Sequence, residues 1–280
     1  MTQQLVAGKM DWSPSKILRM ENGHSPVAPS DLRALLPLYG ITSDEDIRAL
    51  VDLARIARQA SQIDRYRDIL PRATIEWIEH EASAAVIRWF EINFVPGIAQ
   101  TRRYALEIMD TFLPADDGED ARRRLIDRHV EARMCRADPL LAADGPEIDL
   151  IIDEATLRRG VDGVMVEQLE HLKRINTVGR TGAGERVPDG LNPRVRVQVV
   201  PASLGLYALL RGPFELLQFA GDEPSLVYLE NRNSDAVIHD DATETASYFD
   251  AFLDFRDRLP PPEATNEYLD QIARTLAPPR

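Results

Sequence analysis

The tripeptide Ser13-Pro14-Ser15 constrains the start of this chain more than any other feature. Serine is a strong helix N-cap because its side-chain oxygen satisfies an otherwise unbonded backbone N–H. Proline is preorganised for the first helical position, where its missing N–H costs nothing. The pair predicts a helix beginning at Pro14, and Gly23, one step past Asn22, is placed to end it as a left-handed C′ residue. Upstream, Thr2 can cap a helix whose inward positions are Leu5, Val6 and Met10, with Ala7 and Gly8 small enough for a second helix to approach. Asp11 and Trp12 are left for the turn. On the second helix Ile17 and Met20 face inward, while Ser15, Lys16 and Arg19 face outward.

Two short helices at this spacing form a helix-turn-helix. Through Thr2-Gln3, Val6-Ala7, Ser13, Ile17 and Glu21-Asn22-Gly23, residues 2 to 23 resemble the phage-repressor and xenobiotic-response-element class of regulators. The resemblance implies that the second helix reads double-stranded DNA, with Pro14, Ser15, Lys16 and Arg19 facing bases and Gln3 and Ser13 contacting phosphates. The residue types suit that role: Arg and Lys donate to guanine, Ser bonds base or phosphate, and a helix N-terminus attracts a phosphate oxygen. Pro14 has no side-chain donor, so one usual reading position serves helix initiation instead.

The class normally carries a further helix before these two, and here only Met1 stands ahead of Thr2. The expectation is therefore a unit without its first helix. A start assigned too late, a trimmed chain and a remnant that has lost DNA binding all fit.

Charge bears on the same question. The 280 residues carry a formal net charge of −13, which opposes phosphate binding. Residues 1 to 40 hold Lys9, Lys16, Arg19 and Arg33 against Asp11, Glu21 and Asp31, a balance of +1 that leaves −14 elsewhere. One copy should bind DNA weakly, so a homodimer on a palindromic operator is expected. No stretch has the length and apolarity of a membrane span, no signal-peptide pattern opens the chain, and the single Cys135 can form no internal disulfide. A cytoplasmic setting without membrane attachment is the expectation.

Beyond the motif, Ser30-Asp31 should cap a short helix through Leu32, Leu35 and Leu36 that ends at Gly40. Ile47, Leu50, Val51, Ala54 and Ala57 predict an amphipathic helix from Asp44 to about Ala60, followed by a hinge at 61–64. The fold class expected is α+β: an all-helical unit at 1–62, then a mixed α/β domain at 63–280 with a mainly antiparallel sheet. Trp77 to Phe94 reads as one long segment, apolar on one side. Helices are expected at Gln100–Met109 and Ala121–Arg136, the latter after the acidic cluster Asp116, Asp117, Glu119 and Asp120, which favours a helix N-terminus. Strands are expected at 148–152, 195–200, 206–210, 214–219 and 226–229, helices at 154–159, 162–175, 242–258 and 263–276, and a mobile loop at 176–192.

The second domain resembles the large domain of unknown function that follows the helix-turn-helix in many actinobacterial regulators, often described as antitoxin-like. Matching residues include Tyr66-Arg67-Asp68, Val95-Pro96-Gly97 with Gln100-Thr101, Glu131-Ala132-Arg133, Gln168-Leu169, Gly212-Pro213-Phe214 and Tyr228-Leu229-Glu230. Gln62-Ile63 replaces an aromatic pair usual there, and the 176–192 loop is longer than typical. The resemblance implies a transcriptional regulator, often neighbouring a small partner protein and with no established enzymatic activity, whose second domain dimerises, senses a ligand or binds a partner protein. His24, His80, His129, His171 and His239 show no metal-binding spacing, and neither a Gly-rich phosphate loop nor a serine nucleophile elbow occurs. No catalytic residue, metal site or cofactor is therefore expected. Val95-Pro96-Gly97 with Gln100-Thr101 either shapes a pocket or partner groove or is a helix-ending turn followed by a capped helix. The alternative to a DNA-binding regulator is an antitoxin-like, partner-binding protein that no longer binds DNA.

Overall fold

Among the described residues, five helices build the first of two units, Met1–Ser83, and a six-stranded sheet with seven helices builds the second, Ala84–Arg280. The computed structural model describes residues 1–24, 27–113, 118–160, 163–229, 236–238 and 242–276.

In the first unit α1 (Gln3–Met10) and α2 (Pro14–Glu21) pack with α3 (Pro29–Leu35) around Val6, Ala7, Ile17 and Leu35, with Met10, Trp12 and Met20 against them. Leu5 and Gly8 do not face this core, contrary to the sequence reading. Leu5 is 52% exposed, and a Cβ on Gly8 would meet open space. At 100° per residue both lie roughly 150° from the stripe centred on Val6, Ala7 and Met10. The α3 cap also differs from expectation. Ala28 is the N-cap and Pro29 opens the helix, which leaves Asp31 in the first turn with its carboxylate free for Lys16. A 3-10 turn at Leu36–Tyr39 follows, closed as expected by Gly40 at φ 85°.

α4 (Asp44–Ile63) starts with three acidic residues, which suit the positive end of the helix dipole. It runs through most of the hinge expected at 61–64 and is followed by a 3-10 turn at Asp64–Tyr66. Ala57 is exposed, whereas Arg55 and Gln59 are buried. α5 (Arg72–Ser83) folds back on α4, and Ile63, Ile75 and Ile78 form a second small core with Tyr66 and Leu70. This helical hairpin groups residues 63–83 with the first unit, where the sequence reading set the boundary at 62.

The second unit runs β1 (Val86–Glu91), α6 (Arg102–Phe112), α7 (Glu119–Leu141), β2 (Glu147–Asp153), α8 (Glu154–Leu157), α9 (Val164–Ile175), α10 (Thr177–Gly182), β3 (Val195–Val200), β4 (Phe214–Gln218), β5 (Leu226–Leu229), β6 (Ala236–Ile238), α11 (Ala242–Arg256) and α12 (Pro262–Leu276). Strand order is β3-β2-β1-β4-β5-β6, with β1, β2 and β3 mutually parallel and the three remaining pairings antiparallel. The α+β class is as expected, and its sheet is mixed. Glu119 and Asp120 occupy the first turn of α7, while Asp116 and Asp117 of the acidic cluster lie outside the described residues, as does His239. Arg123 pairs with Glu119 at 3.2 Å and Arg122 with Asp110 at 2.5 Å.

Three expectations are corrected here. The 77–94 segment is not continuous: α5 ends at Ser83 and β1 begins at Val86. Residues 206–210 form no strand; a 3-10 turn spans Ala208–Arg211. Within 176–192, α10 is held by a buried polar network. Asn176 Nδ2 donates to the Pro262 carbonyl at 2.9 Å, and its Oδ1 accepts from Val197 N at 3.0 Å. Thr177 Oγ1 donates to the Asn192 carbonyl at 2.8 Å, and Asn192 Nδ2 donates to Leu140 and Pro146. Such a satisfied network fixes the segment in one arrangement.

One sheet face packs Phe90, Ile151, Val200, Leu216 and Val227 beneath Phe252 and Phe255 of α11 and Leu259 just beyond it. Toward the strand starts this face becomes charged. Register places Arg88, Asp149 and Arg196 side by side, and buried Asp149 is approached by Arg196 at 3.3 Å, Arg256 at 3.2 Å and Arg88 at 3.8 Å.

Candidate nucleic-acid interface

The geometry of α1 and α2 follows from their caps. Thr2 Oγ1 accepts from Leu5 N at 3.4 Å, and Ser13 Oγ accepts from Lys16 N at 3.2 Å with Pro14 in the first turn. Asp11 takes a left-handed conformation at φ 55°, and Trp12 N bonds the Ala7 carbonyl at 2.9 Å, which turns the chain within two residues. At the far end Gly23 has φ 68°, and His24 N bonds the Arg19 carbonyl at 2.8 Å, as a C′ glycine allows.

Polar bonds then lock α2 to its neighbours. The Glu21 carboxylate accepts from Tyr39 Oη at 2.5 Å and from Gln3 Nε2 at 2.7 Å. These two bonds, Tyr39 first, hold Glu21 below the usual carboxylate range. Burial, and after it the Glu21 carboxylate, pushes the Tyr39 hydroxyl up to about 12. On the opposite flank Lys16 Nζ lies 2.7 Å from Asp31 and 3.6 Å above the Trp12 ring.

The six residues singled out in the sequence are thereby separated by role. Ser13 caps α2, Pro14 starts it, Gln3 is bonded to Glu21, and Lys16 is drawn to Asp31. Ser15 and Arg19 remain: both are exposed, one helical turn apart, and among the described residues neither side chain has a bonding partner. Leu18, which the sequence reading passed over, shares their face and is 45% exposed. Its signal was available, since a Leu at i+3 from Ser15 lies off the Ile17–Met20 stripe.

In the second unit Gln100 Nε2 donates to the Val95 carbonyl at 2.6 Å, Thr101 caps α6, and Gln168 bonds both Thr101 N and the Ala99 carbonyl at 2.7 Å. Gln100 and Thr101 also line a cavity of about 660 Å³ between α6, α7 and α9, with Ile98, Met134, Leu141 and His171 in its wall. Gln100 and Thr101 thus wall a pocket and Thr101 begins a capped helix, whereas the turn at Val95-Pro96-Gly97 follows β1 and ends no helix. Among the described residues no cluster of His, Cys, Asp and Glu is placed to hold a metal ion, and no helix is long and apolar enough to cross a membrane.

Residues 1–50 match the model of a helix-turn-helix domain. Residues 75–181 and 189–271, more than half of the chain, match that of a domain of unknown function, DUF5753. The chain belongs to the DUF5753 family. The DUF5753 match begins within α5 and is interrupted at 182–188, inside the segment the sequence reading marked as long. No curated protein and no solved structure matches the chain.

Proposed function

We propose that the protein is a DNA-binding transcriptional regulator without catalytic activity, in which α2 lies in the major groove and presents Ser15, Leu18 and Arg19 to base edges. One observation carries the reading: Ser15 and Arg19 stand exposed, and unengaged among the described residues, on a helix whose other polar residues are used to fix it in place. Arg19 suits bidentate donation to guanine, Ser15 a base or phosphate, and Leu18 a thymine methyl. The α2 N-terminus, opened by Ser13 and Pro14, offers a positive dipole end to a phosphate oxygen. The helix-turn-helix match over residues 1–50 supports the same reading.

With a balance of only +1 over residues 1–40, one motif gives little electrostatic affinity, so two copies act together on a palindrome. The test is selection of an operator from a random DNA pool, followed by titrations of Arg19→Ala and Ser15→Ala on selected and scrambled duplexes. Arg19→Ala is expected to lose about 1–3 kcal/mol of preference. Equal binding of the wild type to selected and scrambled DNA across a salt series sinks the proposal and favours the partner-binding alternative.

A further inference from the structure

Between Pro201 and Gly212 the second unit carries an apolar edge. Leu206 is 95% exposed, Leu204 43% and Leu210 38%. A lone exposed leucine is ordinary, but three within seven residues beside an apolar groove mark a contact surface. The groove measures about 440 Å³, is walled by Leu204 and Leu206 themselves together with Tyr207, Leu209 and Phe255, and reaches the charged Asp254 and Arg258. Its floor is rigid: the Tyr207 ring stacks on Phe255 with centroids 4.8 Å apart, and the Tyr207 hydroxyl is bonded to Asp153.

We infer that this face is a two-fold interface between two copies of the chain, with Leu206 of each copy seated in the groove of the other. Charge identifies the occupant. Asp254, on α11, and Arg258, one turn further along the chain, are both exposed, and neither forms an ion pair among the described residues. A two-fold axis between them sets Asp254 of each copy against Arg258 of the other, so the surface is complementary to itself. The inference rests on the proposed function for the need to hold two helix-turn-helix motifs together, and it names the surface that does so.

Light scattering and sedimentation of the full chain test it. The wild type is expected to be a dimer and Leu206→Glu a monomer with an unchanged melting curve, because the Leu206 side chain contributes almost no packing within one copy. Asp254→Arg and Arg258→Asp each set like charges together and are expected to be monomeric. The double variant restores the dimer, and an equimolar mixture of the two single variants forms a heterodimer. On a palindromic duplex Leu206→Glu weakens binding by on the order of a hundredfold, the avidity of two linked sites. A monomeric wild type, or a dimer that all three single substitutions leave intact, overturns the inference. A half-site duplex separates this outcome from failure of the DNA reading. One copy binds there alone, so base preference on it reports α2 and is indifferent to Leu206→Glu.

Discussion

The Lys16 ammonium lies 2.7 Å from the Asp31 carboxylate. A cation that the sequence sets toward DNA is thus partly neutralised by α3. Both side chains are about one-third exposed, at 35% and 30%, so the pair contributes at most about 1 kcal/mol to stability. Asp31→Asn is expected to leave the melting temperature nearly unchanged and to raise DNA affinity several-fold. The plot of log affinity against log salt should steepen by about one phosphate contact. An unchanged slope would show that Lys16 does not reach the backbone.

Removing the Asp149 side chain should be among the most damaging single changes in the second unit. Three guanidinium groups converge on this buried carboxylate within 3.8 Å, and losing the anion leaves them facing one another in a partly dry site. Breaking one side of such a buried arrangement costs about 3–5 kcal/mol. Urea unfolding of Asp149→Ala should show that loss. A change below about 1 kcal/mol, as for exposed pairs, would mean that solvent reaches the cluster.

Acid should weaken the second unit through His171. Burial, and after it the charge of Arg174, brings its imidazole down to about 4, against about 6.5 in the unfolded chain. Between those values the unfolded chain binds a proton that the folded chain refuses. The stability contributed by neutral His171 is therefore complete above about pH 6.5, declines as pH falls, and stops declining below about 4. Urea midpoints at pH 7 and pH 5 should differ less in His171→Asn than in the wild type. A residual slope is expected from His129, which burial shifts in the same direction.

Two glycines should respond in opposite directions to the same substitution. A Cβ on Gly179 would lie 2.3 Å from the Pro262 carbonyl oxygen and 2.4 Å from Asn176 Nδ2, inside the network that holds α10 against α12. Gly179→Ala is expected to cost about 1–3 kcal/mol through overpacking. Gly8, in the middle of α1, has open space where a Cβ would sit. Gly8→Ala should stabilise the first unit by roughly 0.5–1 kcal/mol through helix propensity. Calorimetric melting of the two variants checks both signs.

The residues that made the structure legible from sequence are those whose effect is local. Ser13, Pro14 and Gly23 set the limits of α2 by capping chemistry that needs no tertiary partner, and the structure places each as expected. β1 was hidden because it is central in the sheet and nearly all of its residues are buried, which erases the alternation that announces a half-exposed strand. Its junction with α5, Ser83-Ala84-Ala85, contains no glycine or proline to mark the break. α10 was hidden for the converse reason. Thr177 and Gly179 look like loop residues until Asn192 and Pro262, far along the chain, enclose them. Within the candidate interface, the outward face of α2 followed from helical spacing. The capture of Lys16 by Asp31 did not, because it depends on how α3 docks.

The place of β1 in the sheet has a consequence for the newborn polypeptide. Of the described strands it is the first to be synthesised, yet its neighbours are β2 and, much later, β4. At about 5–20 residues per second, on the order of ten seconds pass between the synthesis of Glu91 and that of Phe214. Throughout that interval at least one hydrogen-bonding edge of this mostly apolar strand is open, the condition in which nascent chains recruit chaperones or adhere to one another. Yield in the cell should therefore depend on translation speed between these points more than on the strength of the finished sheet.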